Sequence, residues 1–342
     1  MKKVLFIGLG SIGQRHYRNL KKIKKNFKFY ALRKIKKSTE LDRYNNINSE
    51  KFNYNQKYIT ELKNEETNNK FDIIFICNPS SLHVKYSLKF AKKGSALFIE
   101  KPLSHNLHGV NKLKHLIKKN KIICAVGFQL RYEYLLIKIK EIILSKKLGK
   151  IKKAYISNKH YLPYHHKYED YKTGYAAKKK LGGGAILCFI HELDYANFLF
   201  GKISNIKCKC GKKSNLQIDV EDYAKIKCNY ILGDYKFPVY IDLDFIKRKE
   251  ERKCKIIFDN GLVYWDLKLN ILKIYKNKKL IDIIKNYNDR DKLFTKQLKE
   301  FLKCIKNQQV PKSNIDNGIS SLKMALYAKR SNKLKKTIQI KL

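Results

Sequence analysis

Three sets of residues in this chain have the types and spacing to do chemistry together. Gly8, Gly10 and Gly13 spell Gly-x-Gly-x-x-Gly directly behind an apolar run at 4–7. At a strand-to-helix turn that pattern cradles a dinucleotide. Gly8 permits the tight turn, Gly10 lets the backbone approach a pyrophosphate, and Gly13 lets the helix pack closely on the strand. Free amides at Ser11 and Ile12 and the positive helix end then hold the phosphates. The second set is Glu100-Lys101-Pro102, behind the apolar run 96–99. A lysine at the C-terminal end of a parallel strand stands where ligands of doubly wound sheets bind. Partial burial lowers its pKa, so it can trade the hydroxyl proton when a hydride moves between nicotinamide and a carbinol carbon. The third is His191, early in an apolar helix entered through Gly182-Gly183-Gly184. Imidazole trades protons near neutral pH. One lysine among many is ordinarily solvated, and one histidine on an apolar helix is ordinarily just packed. Their positions, at a strand end and behind a glycine entry, single out Lys101 and His191 as catalytic candidates.

Twenty positions past Gly13, at the end of the second apolar run, stands Arg33, with Lys34 beside it. An acidic residue there would take the ribose hydroxyls of NAD, whereas a basic one suits a 2′-phosphate. Only nine of the 76 basic residues are arginines, so Arg33 is the informative member of that pair. NADP(H) is therefore expected over NAD(H).

The elements that must position these residues follow from periodicity. Apolar strands are expected at 4–7, 27–32, 71–77, 96–99 and 122–126, with helices at 12–23, 81–92 and 107–119 between them. Such alternation predicts an α/β Rossmann domain, a doubly wound parallel sheet, over residues 1–125. After Gly127 the texture changes. A helix at 134–145, a strand at 151–160 and a Tyr- and His-rich stretch to 181 precede one helix at 185–200. Strands follow at 203–209, 223–228, 239–245, 254–258, 262–265 and 271–275, with Gly233-Asp234 and Asn260-Gly261 as turns. Helices at 289–306 and 315–331 close the chain. Residues 126–342 thus read as an α+β domain for substrate and oligomerisation, with a mostly antiparallel open sheet.

Taken in order, the motifs resemble the glucose–fructose oxidoreductase/inositol dehydrogenase family. They are Asn78-Pro79 followed by His83, then Glu100-Lys101-Pro102, Gly127-Phe128-Gln129-Leu130-Arg131-Tyr132, and the glycine entry leading to His191. The resemblance implies cofactor contacts from Asn78, Pro79, His83, Glu100 and Lys101, and substrate contacts from Lys101, Arg131, Cys188 and His191. Tyr161-Leu162-Pro163, Asp170-Tyr171, Tyr175 and His191-Glu192-Leu193-Asp194-Tyr195 are similar to the branch found with surface-polysaccharide and sialic-acid-like sugar pathways. This implies that Tyr161, Asp170, Tyr171 and Tyr175 face an activated or acidic sugar. It also implies a homo-oligomer built through the open face of the second sheet. One departure matters: the branch has Asp three residues before the histidine, and this chain has Cys188. A thiol neither carries the charge nor accepts hydrogen bonds well. That leaves open a changed substrate, slower chemistry, or a non-catalytic dinucleotide-binding sensor of the same fold.

Composition bounds the rest. The formal charge is +47, but lysine is spread along the whole chain and arginine is scarce. Base and phosphate reading leans on arginine, so a specific nucleic-acid partner is not expected, while anionic small molecules are favoured. Eight cysteines without Cys-x-x-Cys spacing suit reduced thiols of a cytoplasmic protein. Neither a metal site nor a membrane span is expected; His160, His165 and His166 lack carboxylate or thiolate partners at ligand spacing.

Overall fold

A computed structural model of the chain describes residues 1–24, 26–33, 41–42, 59–63, 68–286 and 289–340. Lys34 lies outside the described residues. The first half builds β1 (Lys2–Ile7), α1 (Ser11–Ile23), β2 (Phe27–Leu32), β3 (Ile59–Leu62), β4 (Ile73–Ile76), α2 (His83–Ala91), β5 (Ala96–Ile99), α3 (Val110–Lys119) and β6 (Cys124–Val126). Every pairing is parallel, in the order β3-β2-β1-β4-β5-β6. The order reverses between β1 and β4, which makes the crevice beyond their C-terminal ends the ligand site of such a sheet. All four residues of β4 and of β5 are buried. A parallel sheet covered by helices on both faces demands this.

The second half contains α4 (Tyr134–Ser145), β7 (Ile151–Lys159), α5 (Ala185–Cys188), α6 (Ile190–Phe200), β8 (Lys202–Gly211), β9 (Tyr223–Leu232), β10 (Tyr235–Asp244), β11 (Glu251–Phe258), β12 (Gly261–Asp266), β13 (Ile271–Lys276), β14 (Lys279–Lys285), α7 (Arg290–Asn307), α8 (Ile315–Leu334) and β15 (Ile338–Gln339). Its nine-stranded sheet runs β14-β13-β12-β11-β7-β10-β9-β8-β15. Only β7 with β10 is parallel among the described pairings. Helices α6 and α8 pack on one face of this sheet.

Three features differ from the sequence expectation. Strands β3, β14 and β15 lack the strong apolar pattern of a buried strand; β14 is almost wholly exposed. Helix α7, although late in the chain, covers the first sheet: Leu298 and Phe301 pack with Val4, Phe6, Phe75 and Phe98. The helix expected over 185–200 breaks at Phe189, which leaves helical geometry at φ −95°, ψ 31°. Beyond the break, the Glu192 amide donates to the Phe189 carbonyl (3.1 Å). The Cys188 carbonyl, which a continuous helix would give to Glu192, is left for another donor.

Candidate active site

The glycine loop is built as its spacing requires. Gly8 closes β1 at φ +90°, a backbone conformation that glycine alone adopts easily, and a Cβ there would lie 3.0 Å from the Asn78 backbone. At Gly13 a Cβ would fall 2.5 Å from the Gly8 carbonyl, so α1 can lie against β1 only with glycine in place. Around Gly10 the opposite holds: a Cβ would meet nothing within 4 Å among the described residues. That open side, at the start of a helix whose first turn carries no acidic residue, leaves room for an anionic group at the helix N-terminus. Ser11 and Ile12 begin the helix above it. Arg33, one residue past β2, pairs with Glu61 of β3. A carboxylate therefore already engages the guanidinium expected to meet a 2′-phosphate.

The ends of β4 and β5 carry the next residues. His83 bridges the Asn78 carbonyl (2.7 Å) and the Pro102 carbonyl (2.8 Å), so it braces the two motif-bearing loops against each other. Burial lowers its pKa. Asn78 Oδ1 is buried and has no partner among the described residues; Pro79 starts the turn into α2. Glu100 is buried and accepts from His16 Nε2 (2.6 Å) and from the Lys101 amide (3.2 Å). Gly127 makes room for it, since a Cβ there would lie 2.8 Å from the carboxylate. Glu100 thus fixes the root of Lys101.

Lys101 reaches across the seam between the two sheets, where Nζ donates to the Cys188 carbonyl at 3.0 Å. This is the acceptor that the break at Phe189 released, three residues before His191. Burial lowers the Lys101 pKa and Arg252 lowers it further, while Cys188, Glu100 and Glu192 oppose the shift. The Cys188 thiol is pushed up to about 11 by burial, although Lys101 and the Tyr175 hydroxyl pull the other way. It is therefore neutral at ordinary pH. His191 is 6% exposed, with its ring edge-on to Phe128 at 5.8 Å.

The structure brings Lys101, Tyr175 and Cys188 together, with His191 three residues beyond Cys188, and distributes the other candidates. Arg131 Nε and Nη2 clamp Asp194 at 2.9 and 2.8 Å in a buried bidentate pair, so the guanidinium is engaged within the fold. Asp170 is exposed and caps its own turn through the Lys172 amide (3.0 Å). Tyr171 accepts from the Gln217 amide (3.3 Å). Tyr161 is half-buried between Tyr164 (4.9 Å) and Arg248 (5.3 Å). His166 stacks on His165, which meets His160 edge-on, so the three form a row rather than converge on a point.

Several residues near Lys101 were not named as site candidates from the sequence. Arg252 Nε donates to the fully buried Glu192 at 2.7 Å, and both groups bear on Lys101. Arg252 sits opposite Asn158 in the sheet register. Glu192 is hidden in sequence by its place beside His191. The scarcity of arginine was a usable signal for Arg252, as it was for Arg33. His16, three residues past Gly13, gave none, because its partner lies 84 positions away.

Comparison with known proteins turns this geometry into a family assignment. Residues 2–128 match the model described as an oxidoreductase family with an NAD-binding Rossmann fold, and residues 136–235 match the GFO/IDH/MocA C-terminal domain. The chain belongs to the GFO/IDH/MocA family. The myo-inositol 2-dehydrogenase of Thermotoga maritima is similar at 22% identity over 347 residues, covering 98% of this chain and 97% of that protein. Among solved structures, levoglucosan dehydrogenase in complex with NADH superimposes with a TM-score of 0.83 at 13% identity, over 99% of both chains. A putative NADPH-dependent oxidoreductase from Desulfitobacterium hafniense gives 0.80 at 15%, over 98% of this chain and 97% of that one. As a GFO/IDH/MocA member the chain is an NAD(P)-dependent oxidoreductase.

Proposed function

We propose that this enzyme transfers a hydride between NADP(H), or less favourably NAD(H), and a hydroxyl or keto carbon of a sugar. The preferred class is an activated or acidic sugar of surface-polysaccharide biosynthesis in the cytoplasm. The observation that carries the reading is the Lys101 amine, enclosed at the seam and held three residues from His191. A bound nicotinamide supplies the hydride acceptor or donor. In the oxidation direction neutral Lys101 takes the hydroxyl proton as the C–H bond gives up its hydride; in reduction the ammonium returns it. His191 orients the hydroxyl and shares that proton. Asn78, Pro79, Gly8, Gly10, Ser11, Ile12, Gly13 and Arg33 would hold the dinucleotide, while Glu100 and His83 position Lys101 and the loops around it.

The resemblance of the relatives' names, myo-inositol and levoglucosan dehydrogenase, supports a polyhydroxylated substrate. The positive charge of the chain and Arg252 beside Lys101 support an acidic one. A homo-oligomer would close over the uncovered face of the second sheet, where Tyr155 and Tyr240 stack at 5.2 Å. A shallow groove of about 350 Å³ on that face is lined by Lys207, Lys209, Lys225 and Lys227.

The test is a screen of nucleotide-linked, phosphorylated and carboxylated sugars and neutral polyols, followed by NAD(P)H fluorescence, with both cofactors titrated in parallel. Turnover of an acidic sugar with NADP(H) is expected. Glu61→Gln, which releases Arg33, should raise the NADPH-to-NADH affinity ratio, and Arg33→Asp should lower it by about 1.5–3 kcal/mol, the range for hydrogen bonds to charged groups. Cys188 favours one rival reading. If dinucleotide binds but neither wild type nor Cys188→Asp turns over any sugar, the chain is a sensor.

A further inference from the structure

The stretch between β7 and α5 has no long helix or strand, yet it touches the first domain near both of its ends. At its C-terminal end it is tied to the first domain. Ser80 Oγ donates to the Leu181 and Gly182 carbonyls at 3.2 and 3.4 Å. A Cβ on Gly182 would fall 2.9 Å from the His105 Cβ. In the middle, Tyr175 lies against Cys188, beside Lys101. At its N-terminal part the Tyr168 hydroxyl meets the Ser11 hydroxyl in the first turn of α1, with Arg15, one turn further along α1, in electrostatic reach. Tyr168 is held there by a column of rings. It stacks on His166 (5.1 Å), His166 stacks on His165 (4.6 Å), and His165 meets His160 at the end of β7 (5.2 Å). His166 is fixed in turn by Glu169 (2.7 Å).

We propose that this strap, residues 160–184, is the second wall of the dinucleotide site, and that Tyr168 is a diphosphate-contact residue contributed by the second domain. The proposal rests on the dinucleotide reading of the glycine loop. Three observations carry it. The hydroxyl of Tyr168 stands at Ser11, where the open side of Gly10 and the free amides of α1 leave room for anionic oxygens. Burial raises the phenol to about 12, so it stays protonated and can donate to a phosphate oxygen across the working pH range. The ring column fixes the strap from its own domain and Ser80 ties its far end to the first domain, while Lys167 and Tyr164 on it are exposed.

NADH is the probe. Its dissociation constant and off-rate are measured on the full chain by fluorescence titration and stopped-flow displacement, for wild type, Tyr168→Phe and Tyr168→Ala. Loss of one charge-assisted hydrogen bond should raise the off-rate of Tyr168→Phe about tenfold with little change in on-rate, and Tyr168→Ala should exceed it. Thermal unfolding of Tyr168→Phe should match wild type, since the hydroxyl supports no core contact. As a second readout, NADH should slow tryptic cleavage after Lys167 in wild type and fail to do so in Tyr168→Ala. Equal off-rates in all three proteins, or a faster on-rate in Tyr168→Phe as expected of a plug, would overturn the proposal while leaving the glycine-loop reading intact. If wild type binds neither NADH nor NADPH, both fall together.

Discussion

Lys101 is ordinary by residue type and unusual by environment. Four groups face its ammonium: Glu100 from its own strand end, Cys188 and Glu192 from the broken helix, and Arg252 from the second sheet. Burial outweighs the carboxylates, so its pKa lies below the usual lysine range. In the proposed mechanism the neutral amine is the base in sugar oxidation, so that rate should rise with pH and reach its half-maximum below the range of a free lysine. The reverse reaction should fall over the same interval. Glu100→Gln removes a charge that holds the proton on, and the limb should move to lower pH; a pH–rate profile with the limb unmoved or displaced upward would contradict this. Lys101→Ala should lower turnover by about 10²–10⁴-fold, the scale of a general acid/base, with NADH affinity nearly unchanged. His191→Ala should do similar damage. The double variant should lose little more, because groups acting on one proton are not additive.

At the scale of elements, two short irregularities shape the candidate site. The break at Phe189 frees the carbonyl that anchors Lys101, and the turn at Gly8 leaves amides that would anchor a phosphate. The glycines of that turn should separate cleanly by experiment. Gly10→Ala adds a methyl to open space, so unfolding in urea should shift by no more than about 0.5 kcal/mol, while NADH affinity falls. Gly13→Ala drives a methyl to 2.5 Å from the Gly8 carbonyl. It should destabilise the first domain by about 1–3 kcal/mol, as overpacking does, and weaken NADH binding as well.

The whole molecule is held in register by contacts that cross it. Helix α7 returns from the end of the chain to cover the first sheet, with Arg15 over the Phe294 ring at 5.2 Å and His16 edge-on to it at 5.6 Å. Arg131, just past β6, clamps Asp194 on α6, and Ser321 on α8 joins the same carboxylate at 3.1 Å. Burial raises the Asp194 pKa while Arg131 opposes it. Arg131→Ala would therefore strand a buried carboxylate, at a cost of about 3–5 kcal/mol. Urea unfolding should show this loss even without substrate. A variant of wild-type stability but poor sugar affinity would return Arg131 to the binding site.

What the sequence determined by itself was local and periodic. Glycine spacing specified the turn at Gly8–Gly13, since Gly8 takes a positive φ and Gly13 leaves no room for a Cβ. The alternation of apolar runs with helical stretches specified a parallel sheet followed by an antiparallel one. The lysine at a strand end and the histidine behind three glycines stood out as candidates because of their positions and not merely their types. Tertiary structure decided the pairings that span the chain: His16 with Glu100, Glu192 with Arg252, Arg33 with Glu61, Arg131 with Asp194, and Tyr168 with Ser11. Each joins residues whose separation in sequence follows no period, so neither propensity nor spacing could place them. Each also sets whether a charged or polar group faces a ligand or the fold, because a buried charge goes to whichever partner packing brings within hydrogen-bond reach.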